Sequence, residues 1–190
     1  MEPARRAATE DEYLAFERSS SGRHEYLGGE ILAMAGGSPR HAALAMNVGR
    51  ILGNQLQSRP CVVLSSDARV HIPATGLYTY PDVTVACDKL ELHPKDRDVL
   101  LNPTLIVEVL SDSTEAYDRG AKFAHYRRIP SLRAYVLVSQ GERRIELFER
   151  IAGDRWELTE RVGEGSLPVP SLGVTLDLAE VYSKIELFEP

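Results

Sequence analysis

The feature that most constrains this chain is an apolar run with a carboxylate at its centre. Residues 103–111, PTLIVEVLS, are apolar on both alternating faces, which is typical of a strand covered by other elements on both sides. Glu108 lies in the middle of this run. A buried carboxylate without a partner costs several kcal/mol, so Glu108 requires a metal ion, a proton, or an Arg or Lys side chain.

A second carboxylate, Asp82, opens another short apolar strand. It directly follows Pro81, whose fixed φ and missing N–H suit the entrance of a strand. Alone, Asp82 is typical of a turn aspartate that caps the local backbone. Together with Glu108 it indicates a site for Mg²⁺ or Mn²⁺, because these ions prefer carboxylate oxygens. With Lys122 downstream, this set predicts a cation site suited to phosphodiester hydrolysis.

Composition predicts one globular domain over residues 1–190, since 43% of the residues are hydrophobic and 26% are charged. No apolar stretch approaches the roughly 20 residues of a membrane span. Residues 1–6 lack the apolar core of a signal peptide. Cys61 and Cys87 are far apart, which suggests neither a zinc site nor a disulfide scaffold. We therefore expect a cytoplasmic protein without a membrane partner.

Charge is unevenly distributed along the chain. The net charge of −6 argues against a protein that coats nucleic acid non-specifically. Residues 119–150, however, contain eight basic and three acidic side chains. This segment is compatible with a nucleic-acid-binding face, and equally with a solvated helix and hairpin.

The pattern of elements predicts a mixed α/β fold around one sheet. A capping box starting at Thr9 begins a helix that runs to about Arg18, and Gly28-Gly29 marks a hairpin. Ser38 and Pro39 begin a long helix with one apolar stripe. Further strands are predicted at 62–65, 69–72, 83–87 and 133–139, a surface loop at 88–102, a helix at 114–128, and a hairpin from 143–150 and 155–160.

Six blocks of this sequence together resemble a known family. They cover residues 24–31, 38–41, 81–85, 103–111, 118–126 and 134–138. In this order they resemble the PD-(D/E)XK nuclease superfamily, and within it the Uma2-like branch (formerly DUF820). The lysine that the wider superfamily has two residues after the glutamate is Leu110 in this chain. In the Uma2-like branch this lysine is displaced to the next helix, where Lys122 lies.

The resemblance implies a restriction endonuclease-like mixed β-sheet flanked by helices, with an N-terminal helix and β-hairpin. It implies that Asp82, Glu108 and the main-chain carbonyl of Val109 bind Mg²⁺, or Mn²⁺. The ammonium of Lys122 would then orient the attacking water or offset charge in the transition state. In this interpretation the catalytic residues are Asp82, Glu108, Lys122 and Glu25.

Several other residues have alternative interpretations. Glu25 matches a family position that adds a metal ligand or a base, but a cross-strand surface glutamate fits equally well. Arg40 and His41 lie in the first turn of a helix, where an anion such as phosphate is favoured, although a solvated first turn is more common. The remaining polar candidates show no shared metal-ligand spacing and are interpreted as structural: His24, His71, His93 and His125. Tyr126 and Tyr135 are interpreted as core residues.

The leading hypothesis is a Mg²⁺-dependent DNA endonuclease. The main alternative is a nuclease-derived module that binds DNA or a protein without cutting, and a third is a hydrolase of another phosphoester. We also expect a symmetric homodimer, because two related subunits can cut both strands of a duplex. The long helix, the N-terminal hairpin and residues 174–188 are candidate interface elements.

Overall fold

Two six-stranded mixed sheets, packed face to face, dominate the structure, a computed structural model that describes residues 7–34 and 36–188. The prediction that no signal peptide is present falls on residues 1–6, which lie outside the described residues. The central sheet has its strands in the order 12-11-10-9-6-3. They are β3 (Cys61–Ser65), β6 (Val83–Cys87), β9 (Leu105–Val109), β10 (Ala134–Val138), β11 (Arg144–Ala152) and β12 (Arg155–Val162).

The strand with the internal carboxylate, β9, lies inside the central sheet as its sequence predicts. It pairs with β10 in parallel and with β6 in antiparallel orientation, and all five of its residues are buried. Helix α2 (Pro39–Leu56) covers one face of the sheet through Leu44, Val48 and Leu52. Ser38 caps this helix by accepting a hydrogen bond from the His41 backbone N–H, 3.1 Å away.

The N-terminal sheet has its strands in the order 2-1-5-4-8-7. They are β1 (His24–Leu27), β2 (Glu30–Ala33), β4 (Arg69–Ile72), β5 (Leu77–Thr79), β7 (Leu92–His93) and β8 (Asp96–Leu100). The predicted hairpin forms β1 and β2, and both glycines of its turn have positive φ. Helix α1 (Glu10–Ser19) begins at the predicted capping box of Thr9 and Glu12 and covers the outer face of this sheet.

The prediction of one sheet is wrong, since the strands form two six-stranded sheets and a separate two-stranded sheet. Pro81 lies between β5 and β6, where it has no N–H to continue a ladder, and the chain passes there from one sheet to the other. The prediction of a loop at 88–102 is also wrong, because this segment supplies β7 and β8. The many charged residues of this segment hide its strand pattern. The buried Asp96 is paired with Arg69 at 2.8 Å, and Val99 and Leu100 enter the core.

The helix predicted at 114–128 forms in three consecutive parts. These are α3 (Glu115–Tyr117), a π-helical turn (Asp118–Lys122) and α4 (Phe123–Tyr126). The π-turn is wider than an α-turn, and such turns are frequent at functional sites. Phe123 and Tyr126 of this segment pack into the core between the two sheets.

Cys61 and Cys87 form a disulfide, contrary to the prediction from their spacing. They are opposite residues of the antiparallel pair β3 and β6. Their separation of 26 residues does not predict this contact, because the register of the sheet, and not local spacing, brings the two cysteines together. Cysteine usage consequently gives no support to a reducing compartment, and the cytoplasmic location stays a prediction.

The C-terminal part of the chain packs against α2. It consists of the hairpin β13 (Ser166–Val169) and β14 (Val174–Asp177), followed by α5 (Leu178–Val181) and a 3₁₀ turn (Ile185–Phe188). The Asn47 side-chain amide of α2 donates hydrogen bonds to the carbonyls of Val181 and Ser183. Among the helices of the described residues, none has the length and apolar character required to cross a bilayer.

Candidate active site

Two carboxylates of neighbouring strands lie side by side on one face of the central sheet. Val83 pairs with Val107 in the antiparallel ladder of β6 and β9, so Asp82 lies opposite Glu108, on the same face. The Val109 backbone N–H donates a hydrogen bond of 2.8 Å to Asp82 Oδ2, which fixes this carboxylate at the end of the ladder. The Glu108 side chain is 5% exposed and that of Asp82 is 16% exposed. The sequence that folds into these strands therefore creates a pair of adjacent, largely buried carboxylates.

The helical segment supplies a buried cation to this pair. Lys122 Nζ lies 2.8 Å from Glu108 Oε1 and 3.4 Å from Asp118 Oδ1. The Lys122 side chain is only 7% exposed, so its contact with Asp118, four residues earlier, is not a solvated surface pair. The Tyr126 hydroxyl donates a hydrogen bond of 2.7 Å to the same Glu108 oxygen. Glu108 is thus held by two donors from one helical segment.

The N-terminal sheet contributes a further carboxylate from β1. Glu25 Oε1 lies 3.6 Å from Lys122 Nζ and accepts a hydrogen bond from the Thr79 hydroxyl. The Tyr117 hydroxyl is 3.5 Å from the other Glu25 oxygen. The Glu25 side chain is 12% exposed, which excludes the interpretation as a solvated cross-strand residue.

His41 also reaches this group of side chains, whereas Arg40 lies elsewhere. His41 Nε2 is 3.1 Å from Asp82 Oδ2. The hydrogen bond to Asp82 raises the pKa of His41 against the effect of burial, and the negative charge of Glu108 and the Val109 backbone add to the rise. Arg40 lines a surface cleft together with Arg143 and Tyr182. The two neighbours in the first turn of α2 consequently have different surroundings.

Negative charge exceeds positive charge in this cluster. Burial raises the pKa of Glu108 to about 8; the positive charge of Lys122 opposes the rise, and Asp82 adds to it. Burial also raises the pKa of Asp118. For Lys122, burial lowers the pKa, but Glu108, Asp118 and Glu25 raise it above its ordinary value. With Glu108 ionised, four carboxylates share one ammonium and one imidazole, a balance that favours binding of a further cation.

The oxygens that remain suit a hard divalent ion. Asp82 uses Oδ2 and Glu108 uses Oε1 for the hydrogen bonds described above. Neither Asp82 Oδ1 nor Glu108 Oε2 has a hydrogen-bond partner within residues 7–34 and 36–188. Carboxylate oxygens from two adjacent strands are the donors that Mg²⁺ and Mn²⁺ prefer. The residues present therefore fit the ion that the sequence predicts.

Sequence reasoning missed three polar contributors to the cluster. Asp118 lies one helical turn before Lys122 and Tyr126 one turn after it, so their spacing indicates that all three share a face. That signal was available, although the spacing does not tell whether the shared face is buried. Thr79 gave no signal, because only the approach of the two sheets brings it to Glu25.

Comparisons with known proteins identify the family of this chain. Residues 10–179 match the family Uma2, described as "Putative restriction endonuclease". "Uncharacterized protein slr1290" of Synechocystis sp. (strain ATCC 27184 / PCC 6803 / Kazusa) is 37% identical over 175 residues, which cover 90% of each chain. "Uncharacterized protein sll1609" of the same organism is 35% identical over 158 residues, covering 83% of this chain and 89% of that protein.

The fold is also found in a solved structure. A crystal structure described as a putative nuclease belonging to DUF820, from Anabaena variabilis ATCC 29413, superposes with a TM-score of 0.75 at 16% identity. The match covers 92% of this chain and 97% of that chain. It confirms the predicted fold class, a mixed α/β architecture with an N-terminal helix and hairpin. Since the family match spans most of the sequence, this chain belongs to the Uma2 family of restriction endonuclease-like proteins.

Proposed function

We propose that residues 1–190 act as one metal-dependent endonuclease domain that hydrolyses DNA phosphodiester bonds. In this proposal Asp82, Glu108 and the main-chain carbonyl of Val109 hold Mg²⁺ or Mn²⁺. A divalent ion bound there supplies a water of lowered pKa and offsets charge on the scissile phosphate. The observation that carries the proposal is the position of Lys122 Nζ, 2.8 Å from Glu108 within a cluster that has surplus negative charge.

Lys122 acts in this mechanism as a cation and hydrogen-bond donor. Its neighbouring carboxylates raise its pKa above the ordinary value, which favours the protonated form. A fixed ammonium beside a metal-binding carboxylate can orient a water and stabilise charge that develops on phosphate oxygens. Glu25 and Asp118, at 3.6 and 3.4 Å from Nζ, hold this ammonium in place. Their contacts support a positioning role for Glu25 over a role as metal ligand or base.

The DNA substrate is proposed from the family description, with limited support from the basic segment 119–150. Two of its arginines are used internally: Arg119 pairs with Glu115 and Glu146, and Arg150 donates hydrogen bonds to three backbone carbonyls. The exposed members that can face a phosphate backbone are Arg127, Arg128, Arg133 and Arg143. The segment is thus partly structural, and its contribution to DNA binding is smaller than its net charge indicates.

Metal binding gives the first prediction. Asp82→Asn and Glu108→Gln should each abolish Mn²⁺ binding measured by isothermal titration calorimetry, because each removes a charged oxygen ligand. Both variants should stay folded, since Lys122 retains Asp118 and Glu25 as partners. Asp112→Asn, which changes an exposed carboxylate four residues after Glu108, is the matched control and should bind Mn²⁺ like the wild type. Unchanged Mn²⁺ affinity in both site variants would exclude the proposed ligands.

Lys122 gives the second prediction. Lys122→Ala should bind Mn²⁺ but lose cleavage of supercoiled plasmid by about 100-fold or more, the scale expected on removing a group that stabilises transition-state charge. Lys89→Ala is the control, because Lys89 is an exposed lysine outside the cluster. Cleavage by Lys122→Ala at the wild-type rate would contradict the proposed role.

The same assay separates the endonuclease from the alternative classes. A wild-type protein that binds Mn²⁺ and DNA but cuts neither plasmid, linear duplex nor single strands would favour the non-cutting module. Hydrolysis of a small phosphodiester without cleavage of DNA would favour the third hypothesis.

The active form is proposed to be a two-fold homodimer. One metal site in each of two related subunits accounts for cleavage of both strands of a duplex. Light scattering across micromolar concentrations should give twice the chain mass of 21.1 kDa. A single chain mass throughout that range would remove the dimer from the proposal.

A further inference from the structure

A second group of metal-ligand side chains lies on the far side of the N-terminal sheet from the carboxylate cluster. Along β5, Leu77 packs into the core between the sheets and Thr79 reaches Glu25, while Tyr78 points outward, beneath α1. His71 of β4 shares this outer face, since both its neighbours Val70 and Ile72 face the core. Glu10, the first residue of α1, lies above it. The outer face is therefore chemically separate from the proposed nuclease site.

Three ligand atoms converge here from three distant segments. Glu10 Oε1 lies 3.6 Å from His93 Nε2 and 4.0 Å from His71 Nε2. All three atoms lie within 4.8 Å of one another. Zinc binds imidazole nitrogen and carboxylate oxygen at about 2.0–2.2 Å in tetrahedral geometry, so two ligand atoms of one ion lie about 3.3–3.6 Å apart. A contraction of up to about 1.5 Å would bring the three atoms to coordination distance.

His71 is a buried imidazole that the rest of the fold leaves unsatisfied. Its side chain is 8% exposed, and its Nδ1 has no hydrogen-bond partner among the described residues. Its Nε2, at 4.0 Å from Glu10, is beyond hydrogen-bond distance. The ring is fixed by stacking on Tyr78, with 3.9 Å between centroids and 7° between planes. Buried polar groups without partners are rare; an ion on Nε2 would satisfy that nitrogen, while Nδ1 would then carry a proton that has no acceptor among the described residues.

The surroundings of the three residues resemble those of bound-metal ligands. The Tyr78 hydroxyl donates a hydrogen bond of 2.5 Å to Glu10 Oε1, the kind of outer contact that orients a ligating carboxylate. The Glu10 side chain is 38% exposed, which gives an ion a path from solvent.

Two hydrogen bonds of His93 oppose metal binding, and both are long. The Tyr78 hydroxyl lies 3.3 Å from His93 Nε2, the proposed ligand atom. The Lys95 backbone N–H donates to His93 Nδ1 over 3.3 Å. An ion on Nε2 requires a proton on Nδ1, so this hydrogen bond would be lost. A bond of this length lies at the long end of the range for N–H donors. The free energy lost with it is small compared with the binding free energy of a three-ligand site.

We propose that Glu10, His71 and His93 form a second site, for a borderline divalent ion of the Zn²⁺ class, that ties α1 to the N-terminal sheet. The two imidazoles distinguish this site from the all-oxygen site for Mg²⁺ or Mn²⁺. The ligands come from α1, β4 and β7, so binding links the first helix to two strands of the sheet. The role is structural and independent of DNA cleavage.

The test uses the Asp82→Asn variant, so that Zn²⁺ cannot use the carboxylate cluster as a complete site. Added to metal-free protein at about 100 times its dissociation constant, Zn²⁺ should raise Tm by roughly 5–10 °C. Adding His71→Asn or His93→Asn to this background should remove the shift. His41→Asn is the matched control, because it removes the histidine beside Asp82 and should leave the Zn²⁺ shift intact.

The outcomes that overturn the proposal are distinct from those that test the endonuclease. An equal Tm shift in the His71→Asn and His93→Asn variants, or loss of the shift only in His41→Asn, would exclude this site. Should either histidine variant fail to fold, X-ray absorption of Zn²⁺ bound to the Asp82→Asn protein decides instead. A shell containing two imidazoles supports the site, and a shell of oxygens alone overturns it.

Discussion

The buried ion pair between Lys122 and Glu108 is the interaction on which the rest of this structure depends. Both side chains lie almost entirely out of water, where breaking such a pair by removing one partner costs roughly 3–5 kcal/mol. Burial of this kind requires further partners, and the fold supplies them from Tyr126, Asp118 and Glu25. The strand β9, the π-turn and the first hairpin are consequently held in one relative arrangement by a single polar cluster.

The cluster occupies the junction of the two sheets, and this position explains how so many charges come together. Asp82 and Glu108 belong to the central sheet, Glu25 and Thr79 to the N-terminal sheet, and Lys122 to the helical segment. The chain passes from one sheet to the other at Pro81, directly before Asp82. A buried polar network is tolerated only where its members satisfy one another. The surplus of carboxylates over cations in this network supports the proposed divalent ion.

The sequence allowed the central part of the site to be predicted, because its signals are local. Glu108 stands out against an apolar strand, Asp82 follows a proline, and the capping box and the paired glycines mark the first helix and hairpin. The features that were missed depend on register or on approach between sheets. Three such features join segments that are far apart in the sequence, so local spacing gives no sign that they are in contact. They are the disulfide of Cys61 and Cys87, the strands within 88–102, and the contact of Thr79 with Glu25. The grouping of His71 and His93 with Glu10 was hidden for the same reason.

Asp82 and Glu108 are proposed to hold a divalent ion beside Lys122, and anomalous X-ray diffraction tests this proposal most directly. Crystals soaked in saturating Mn²⁺ should show an anomalous peak within about 2.0–2.4 Å of oxygens from both carboxylates, the range of hard-cation contacts. The Lys122 ammonium should remain beside Glu108 in that structure. A saturated crystal with no anomalous peak between the two carboxylates would contradict the account.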